Sequence, residues 1–155
     1  MGRISDIMDP RCIQLSLAAR SKEGAVRELV QMLADAGKLD GAGGIDCCVA
    51  AVMEREGLSS TGIGRGIAIP HRLAAGVGAI VIAAGRSVRG IPFDSVDGKP
   101  AHLIFLIMGP CGENSGYLSI LGALSRLLND REFFETLMRA EGVLEVVELV
   151  AERER

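Results

Sequence analysis

Leu103-Ile104-Phe105-Leu106-Ile107-Met108 is a run of six consecutive apolar residues. It is far too short to cross a bilayer, which takes about 20 residues. No polar residue interrupts it at alternate positions, so it reads as a central strand covered on both faces. Ala79 to Ala84 has the same character and the same reading. Outward from these two strands, Cys12 to Leu17 alternates: Ile13, Leu15 and Leu17 are apolar, while Gln14 and Ser16 are polar. That pattern predicts a half-buried strand.

Helical spacing fills the remainder. Ser21 can cap a helix that runs to about Ala36, with Val26, Leu29, Val30 and Leu33 on one face and Gly37 as its stop. After a loop over Gly41 to Gly44, a second helix carries Ile45, Cys48, Val49, Val52 and Met53 and ends at Gly57. Gly90 to Pro100 is rich in turn formers. The last third predicts three helices. Leu118, Leu121, Leu124 and Leu128 form the first stripe, and Asn129 with Glu132 forms a capping pair for a helix bearing Phe133, Phe134 and Leu137. Val143, Val146, Val147 and Val150 form the final face. Strands and helices interleave, which assigns the α/β class.

Composition narrows the function. The chain has 155 residues, 48% of them apolar, enough for one compact domain with a real core and against disorder. Aromatics are scarce and Trp is absent, so that core must be aliphatic. A net charge of −3 without a basic stripe argues against nucleic-acid binding. No secretory or membrane segment is predicted, and Asp6 stands where a myristoylation signal on Gly2 needs Ser or Thr. Cys12, Cys47, Cys48 and Cys111 lack metal-binding or redox spacing and read as reduced thiols of a cytoplasmic protein, mostly small core residues. No metal or cofactor is expected.

The segment from Arg55 to His71 carries the chemistry. Gly62, Gly64 and Gly66 free the backbone to approach a ligand, and successive amides in such a loop can form an anion nest. A short strand ending at Pro70 is expected to follow. Ser60 and Thr61 add hydroxyls, Arg55 offers a fork suited to phosphate oxygens, and His71 offers a nucleophilic ring nitrogen near neutral pH. Together these residues suit a phosphoryl group held on an imidazole. A loop of purely structural purpose remains open on the residues alone. The segment is not a Walker loop, since Lys does not follow the last glycine, nor a dinucleotide fingerprint, since no helix clearly follows.

Ser60-Thr61-Gly62-Ile63-Gly64-Arg65-Gly66-Ile67-Ala68-Ile69-Pro70-His71 closely resembles the active-site signature of enzyme IIA domains of the bacterial phosphotransferase system, of the fructose/mannitol and nitrogen-regulatory class. Arg55 stands where that family places an arginine ahead of the loop. Pro92-Phe93-Asp94 before Asp97-Gly98-Lys99-Pro100, and Leu124 to Asp130, extend the likeness over nearly the whole chain. The resemblance implies a single domain over residues 4–150, with 151–155 as a C-terminal tail, built as a mixed β-sheet flanked by helices. It implies that His71 accepts a phosphoryl group, without cofactor, from a histidine-phosphorylated HPr-like carrier in a cascade fed by phosphoenolpyruvate. Arg55 would stabilise the group in transit, and Ser60, Thr61, Gly62, Gly64 and Gly66 would bind the phosphate.

Two departures stand out. Arg72-Leu73 replaces the small residue and Lys that many relatives carry after the histidine; Arg72 either adds charge near the phosphate or points to solvent. Tyr117 stands where relatives place a second histidine at the start of the helix after the last strand. A phenol donates a hydrogen bond but does not change charge near pH 7, which predicts poor onward transfer. His102, at the start of its strand, reads as structural. A lone IIA domain with no fused carrier, IIB domain or membrane segment is expected to be nitrogen-regulatory, its phosphorylation state controlling partner proteins. The alternatives are a IIA subunit of a sugar transporter, passing phosphate to a IIB cysteine, and a binding module that no longer transfers phosphate.

Overall fold

The computed structural model describes residues 3–40 and 44–155. The readings of Gly2 and of Gly41–Gly43 lie outside these residues. The elements run α1 (Ile4–Ile7), β1 (Met8–Gln14), α2 (Lys22–Asp35), α3 (Gly44–Leu58), β2 (Gly62–Gly64), β3 (Ile67–Ala68), β4 (His71–Leu73), β5 (Val81–Ile91), β6 (Ala101–Gly109), α4 (Asn114–Leu128), α5 (Arg131–Arg139) and α6 (Val143–Glu154). The sheet order is β1-β5-β6-β3-β2, with β4 also on β6. Parallel and antiparallel pairs mix: β5 runs against β6, whereas β1 is parallel to β5 and both β3 and β4 are parallel to β6.

The apolar run in β6 follows from its place in the middle. Ile104, Leu106 and Met108 face one core with α2 and α3. Leu103, Phe105 and Ile107 face the other, with α1, α4, α5 and α6. Both faces are covered, so no polar alternation survives.

β3 and β4 are one strand interrupted. Ile67 sits opposite Leu103 and His71 opposite Ile107, the same offset on both sides of the Ile69-Pro70 gap. The strand expected to end at Pro70 therefore ends at Ala68 and resumes at His71 without slipping register. The expected glycine-rich loop is a β2–β3 hairpin turning at Gly64-Arg65-Gly66, with successive φ of 90°, 60° and 85°.

Several boundaries move for physical reasons. β5 extends past Ala84 to Ile91 because its polar residues are bonded inside. The Arg86 guanidinium donates to the carbonyls of Leu15, Leu137, Met138 and Ala140, capping the end of α5. The Ser87 hydroxyl accepts from Gly90 N at 3.0 Å. β1 begins at Met8, earlier than its alternation suggests. Being an edge strand, it tolerates Pro10. In α4 the expected Leu124 and Leu128 are buried and Leu121 packs partly against the core, but Tyr117 and Ile120 begin the buried face, while Leu118 is 61% exposed. The cap of α5 is Asp130, whose carboxylate accepts from Glu132 N and Phe133 N; Asn129 closes α4 instead. Cys12 and Cys48 are core residues, but Cys47 and Cys111 are exposed. α6 continues through Glu154, whose carboxylate accepts from Ile4 N and Ser5 N and ties the last helix to α1. Among the described residues no helix is long and apolar enough to cross a membrane.

Candidate active site

His71 opens β4, and its ring is half-buried. The interruption before it leaves the Ile69 carbonyl outside the β6 ladder, where His71 Nδ1 meets it at 2.6 Å. A carbonyl only accepts, so Nδ1 carries the proton and Nε2 keeps a free lone pair. Burial lowers the His71 pKa. The bond to Ile69 opposes this shift, the Arg55 charge adds to it, and Glu56 opposes it. The downward direction favours the neutral, nucleophilic form of the ring.

Tyr117, in the first turn of α4, packs beside it. The ring centroids are 5.9 Å apart, tilted by 54°. Burial pushes the phenol up to about 12, against the nearby charges of Arg55 and Arg72. It is therefore a neutral hydroxyl at physiological pH, and it makes no hydrogen bond to a described residue. Arg55 lies in the last turn of α3, and one of its nitrogens donates to the Ser59 carbonyl at 2.9 Å. The other donors of the fork remain for a ligand. Arg72 keeps its charge near Tyr117. It lies along α3, donating to the Ala51 carbonyl and pairing with Glu54, both at 3.1 Å.

Glu56, next to Arg55, is a residue that sequence reasoning missed. It is 4% exposed. Its carboxylate accepts from Thr61 N at 2.9 Å, from the Thr61 hydroxyl, and from Lys22 Nζ at 3.0 Å. Lys22 in turn reaches Asp94 at 3.1 Å and lies over the Phe93 ring. This buried node ties α2, α3 and the 93–97 loop to the segment approaching the histidine. Its sequence signal was weak, because a Glu flanking an Arg on a helix resembles any surface pair.

The loop residues separate into two groups. Ser60 Oγ donates to the Phe93 carbonyl and accepts from Gly62 N at 3.0 Å. With Thr61 held by Glu56, both hydroxyls are engaged in shaping the approach to His71. Gly62 lies against Ser95, where a Cβ would stand 2.3 Å from the Ser95 hydroxyl. Gly64 and Gly66 turn the hairpin. The register along β6 puts that turn about 13 Å from His71, four residues at roughly 3.3 Å each. Arg55, Tyr117 and His71 are thus brought together, whereas Gly64 and Gly66 are not. Among the described residues no cluster of His, Cys, Asp and Glu is arranged to hold a metal.

The site thus joins an imidazole with one nitrogen locked to an arginine and a phenol. Residues 6–153 match the family described as phosphoenolpyruvate-dependent sugar phosphotransferase system, EIIA 2. The chain belongs to this family. EIIA domains are phosphotransferase components that carry phosphohistidine, and the chain is one of them. It is 40% identical to the PTS system fructose-specific EIIA component of Haloferax volcanii, over 96% of this chain and 95% of that protein. It is 37% identical to the fructose-specific EIIABC component of Bacillus subtilis over 99% of this chain, but spans only 24% of that longer protein. The crystal structure of nitrogen regulatory protein IIA-Ntr from Neisseria meningitidis superposes with a TM-score of 0.86 at 29% identity, covering 95% of this chain and 98% of that one. The expected EIIA fold, a mixed sheet flanked by helices, is therefore the fold observed.

Proposed function

We propose that this EIIA domain accepts a phosphoryl group on Nε2 of His71 from a histidine-phosphorylated HPr-like carrier. The lock between His71 Nδ1–H and the Ile69 carbonyl supports this reading, since it aims one defined lone pair at the open surface. In the transfer, the Nε2 lone pair forms the new N–P bond in line with the bond that breaks. The donor ring, protonated on its other nitrogen, leaves as neutral imidazole. The new phospho-imidazolium keeps its Nδ1 proton on the Ile69 carbonyl. Bond chemistry is nearly balanced, so the site contributes mainly position and charge. Because the cascade starts at phosphoenolpyruvate, this reading places the chain in the cytoplasm. Incubation with phosphoenolpyruvate, enzyme I and the carrier tests it: an acid-labile phosphate with the 31P shift of an Nε2 adduct is expected, and an Nδ1 adduct or no label overturns it.

Arg55 supplies the charge. A charge-assisted contact contributes about 1.5–3 kcal/mol, so Arg55→Ala slows single-turnover transfer by roughly 10- to 150-fold. The guanidinium's one internal bond is to the Ser59 carbonyl, so the variant stays folded by circular dichroism. A folded variant with an unchanged rate removes Arg55 from the mechanism. Ser60, Thr61 and Gly62 act in this reading by fixing the approach to the histidine.

Two outputs follow for the phosphate. Tyr117 favours regulatory output: at 5.9 Å from His71 it offers a hydroxyl to the phosphate but no charge that follows transfer. Tyr117→His is expected to quicken exchange of labelled phosphate between carrier and protein, and equal rates in the two forms defeat the idea. Identity favours the other output, passage to a IIB cysteine of a fructose-type transporter, since the fructose-specific relatives stand at 40% and 37% and the nitrogen regulatory structure at 29%. Transfer of label to a purified fructose-type IIB domain decides between them.

A further inference from the structure

A cleft of about 610 Å³ lies at the end of β6 away from His71, within the size range of small-molecule sites. Arg65, Lys99 and Arg131 bring three cations to its lining, against the carboxylates of Asp97 and Glu135. Both carboxylates are engaged. Asp97 accepts from Arg65 N at 2.8 Å and Lys99 N at 3.0 Å, and Glu135 pairs with Arg131 at 2.9 Å. Among the described residues the Arg65 guanidinium donates to the neutral amide oxygen of Asn129, and Lys99 Nζ makes no hydrogen bond, its charge lying near the Asp97 carboxylate. Three cations against two carboxylates leave the cleft with one net positive charge, on a chain whose net charge is −3.

The walls are built for a ligand with an organic body. Arg131 is fixed over the buried Phe134 ring at 4.5 Å and donates to the Arg65 carbonyl at 3.2 Å, while Val88 and Met138 present apolar surface. Gly66 must lack a side chain there, since a Cβ would stand 2.9 Å from the Phe134 ring. Arg65, between two glycines, holds a φ of 60° that itself favours glycine. An arginine at that position puts a cation at the cleft where the backbone alone would select no side chain. His102 Nδ1–H donates to the Ser87 carbonyl at 2.8 Å, leaving Nε2 as the ring's remaining polar atom.

We propose that this cleft binds a small organic phosphate, the phosphate meeting Arg65, Lys99 and Arg131 and the organic body resting on Val88 and Met138. Cations converging from three separate segments suit a dianion better than a single carboxylate. The inference goes beyond the phosphocarrier reading and does not depend on it, because the cleft contains none of the residues around His71.

The test is 15N-resolved NMR titration of the full chain with glucose 6-phosphate, inorganic phosphate and citrate. Glucose 6-phosphate is expected to give saturable shifts at Gly66, Lys99, His102 and Phe134, and inorganic phosphate weaker ones at the same amides. Lys99→Ala, whose side chain makes no hydrogen bond among the described residues, weakens binding by about fivefold or more, and His71→Ala leaves it unchanged. Absence of saturation, shifts that vanish in His71→Ala, equal affinity in Lys99→Ala, or tighter binding of citrate at the same amides overturns the proposal.

Discussion

His71→Ala is expected to reduce acid-labile labelling by the reconstituted cascade to background while the protein stays folded. The chain has two histidines, and the other, His102, sits at the far end of β6 with Nδ1 on the Ser87 carbonyl. No second imidazole can therefore take over the attack. The structural cost is small: the ring is half-buried, and its one hydrogen bond is worth about 1 kcal/mol net. The melting temperature should fall by only a few degrees, about 2–4 °C for each kcal/mol in a domain of this size. Label that persists in His71→Ala and disappears in His102→Ala would move the acceptor to the other end of the sheet.

The largest effect on stability is expected at Glu56. Removing one partner of a buried ion pair costs about 3–5 kcal/mol, because the remaining charge is stranded. Glu56→Ala leaves Lys22, whose side chain is 15% exposed, with only the exposed Asp94 carboxylate, and also frees Thr61 N and its hydroxyl. A drop in melting temperature of roughly 6–20 °C follows. The double variant Lys22→Ala/Glu56→Ala should lose less than the sum of the single losses, since it removes the stranded charge as well. Additive losses would show that the two residues act separately. Phosphoryl transfer at a temperature where Glu56→Ala is still folded should also slow, because Thr61 and the approach to His71 lose their anchor.

Legibility in the sequence followed the physics of each segment. β6 was readable because burial on both faces leaves an uninterrupted apolar run. His71, Arg55 and Tyr117 were readable because signature spacing survives folding, and the structure does bring their side chains to one place. The second half of β5 was hidden, because Arg86 and Ser87 are polar residues satisfied by carbonyls and amides that only tertiary structure supplies. The α4 face was legible at Leu124 and Leu128 but not in its first turn, where Tyr117 rather than Leu118 faces the core. The glycines were the subtlest case. Composition suggested a cradle for an anion at the histidine, yet Gly62 is small to admit Ser95, and Gly64 and Gly66 turn a hairpin some distance away. Glycine records that room or a left-handed turn is needed and does not record for what.

The unbroken register across Ile69-Pro70 bears on what limits the speed of this phosphocarrier. An acceptor on a mobile loop would have to search for its reactive pose at each encounter. Here the sheet holds the backbone of His71 on both sides of the break, Pro70 still accepting from Ile107 N and Ile69 N donating to the Thr61 carbonyl, while the Ile69 carbonyl is left to orient the ring. Little reorganisation is left for the moment of reaction. The turnover of such a carrier is then governed by how often, and in what orientation, its partner arrives, so transfer should scale with partner concentration and respond to viscosity and salt as a diffusional meeting does.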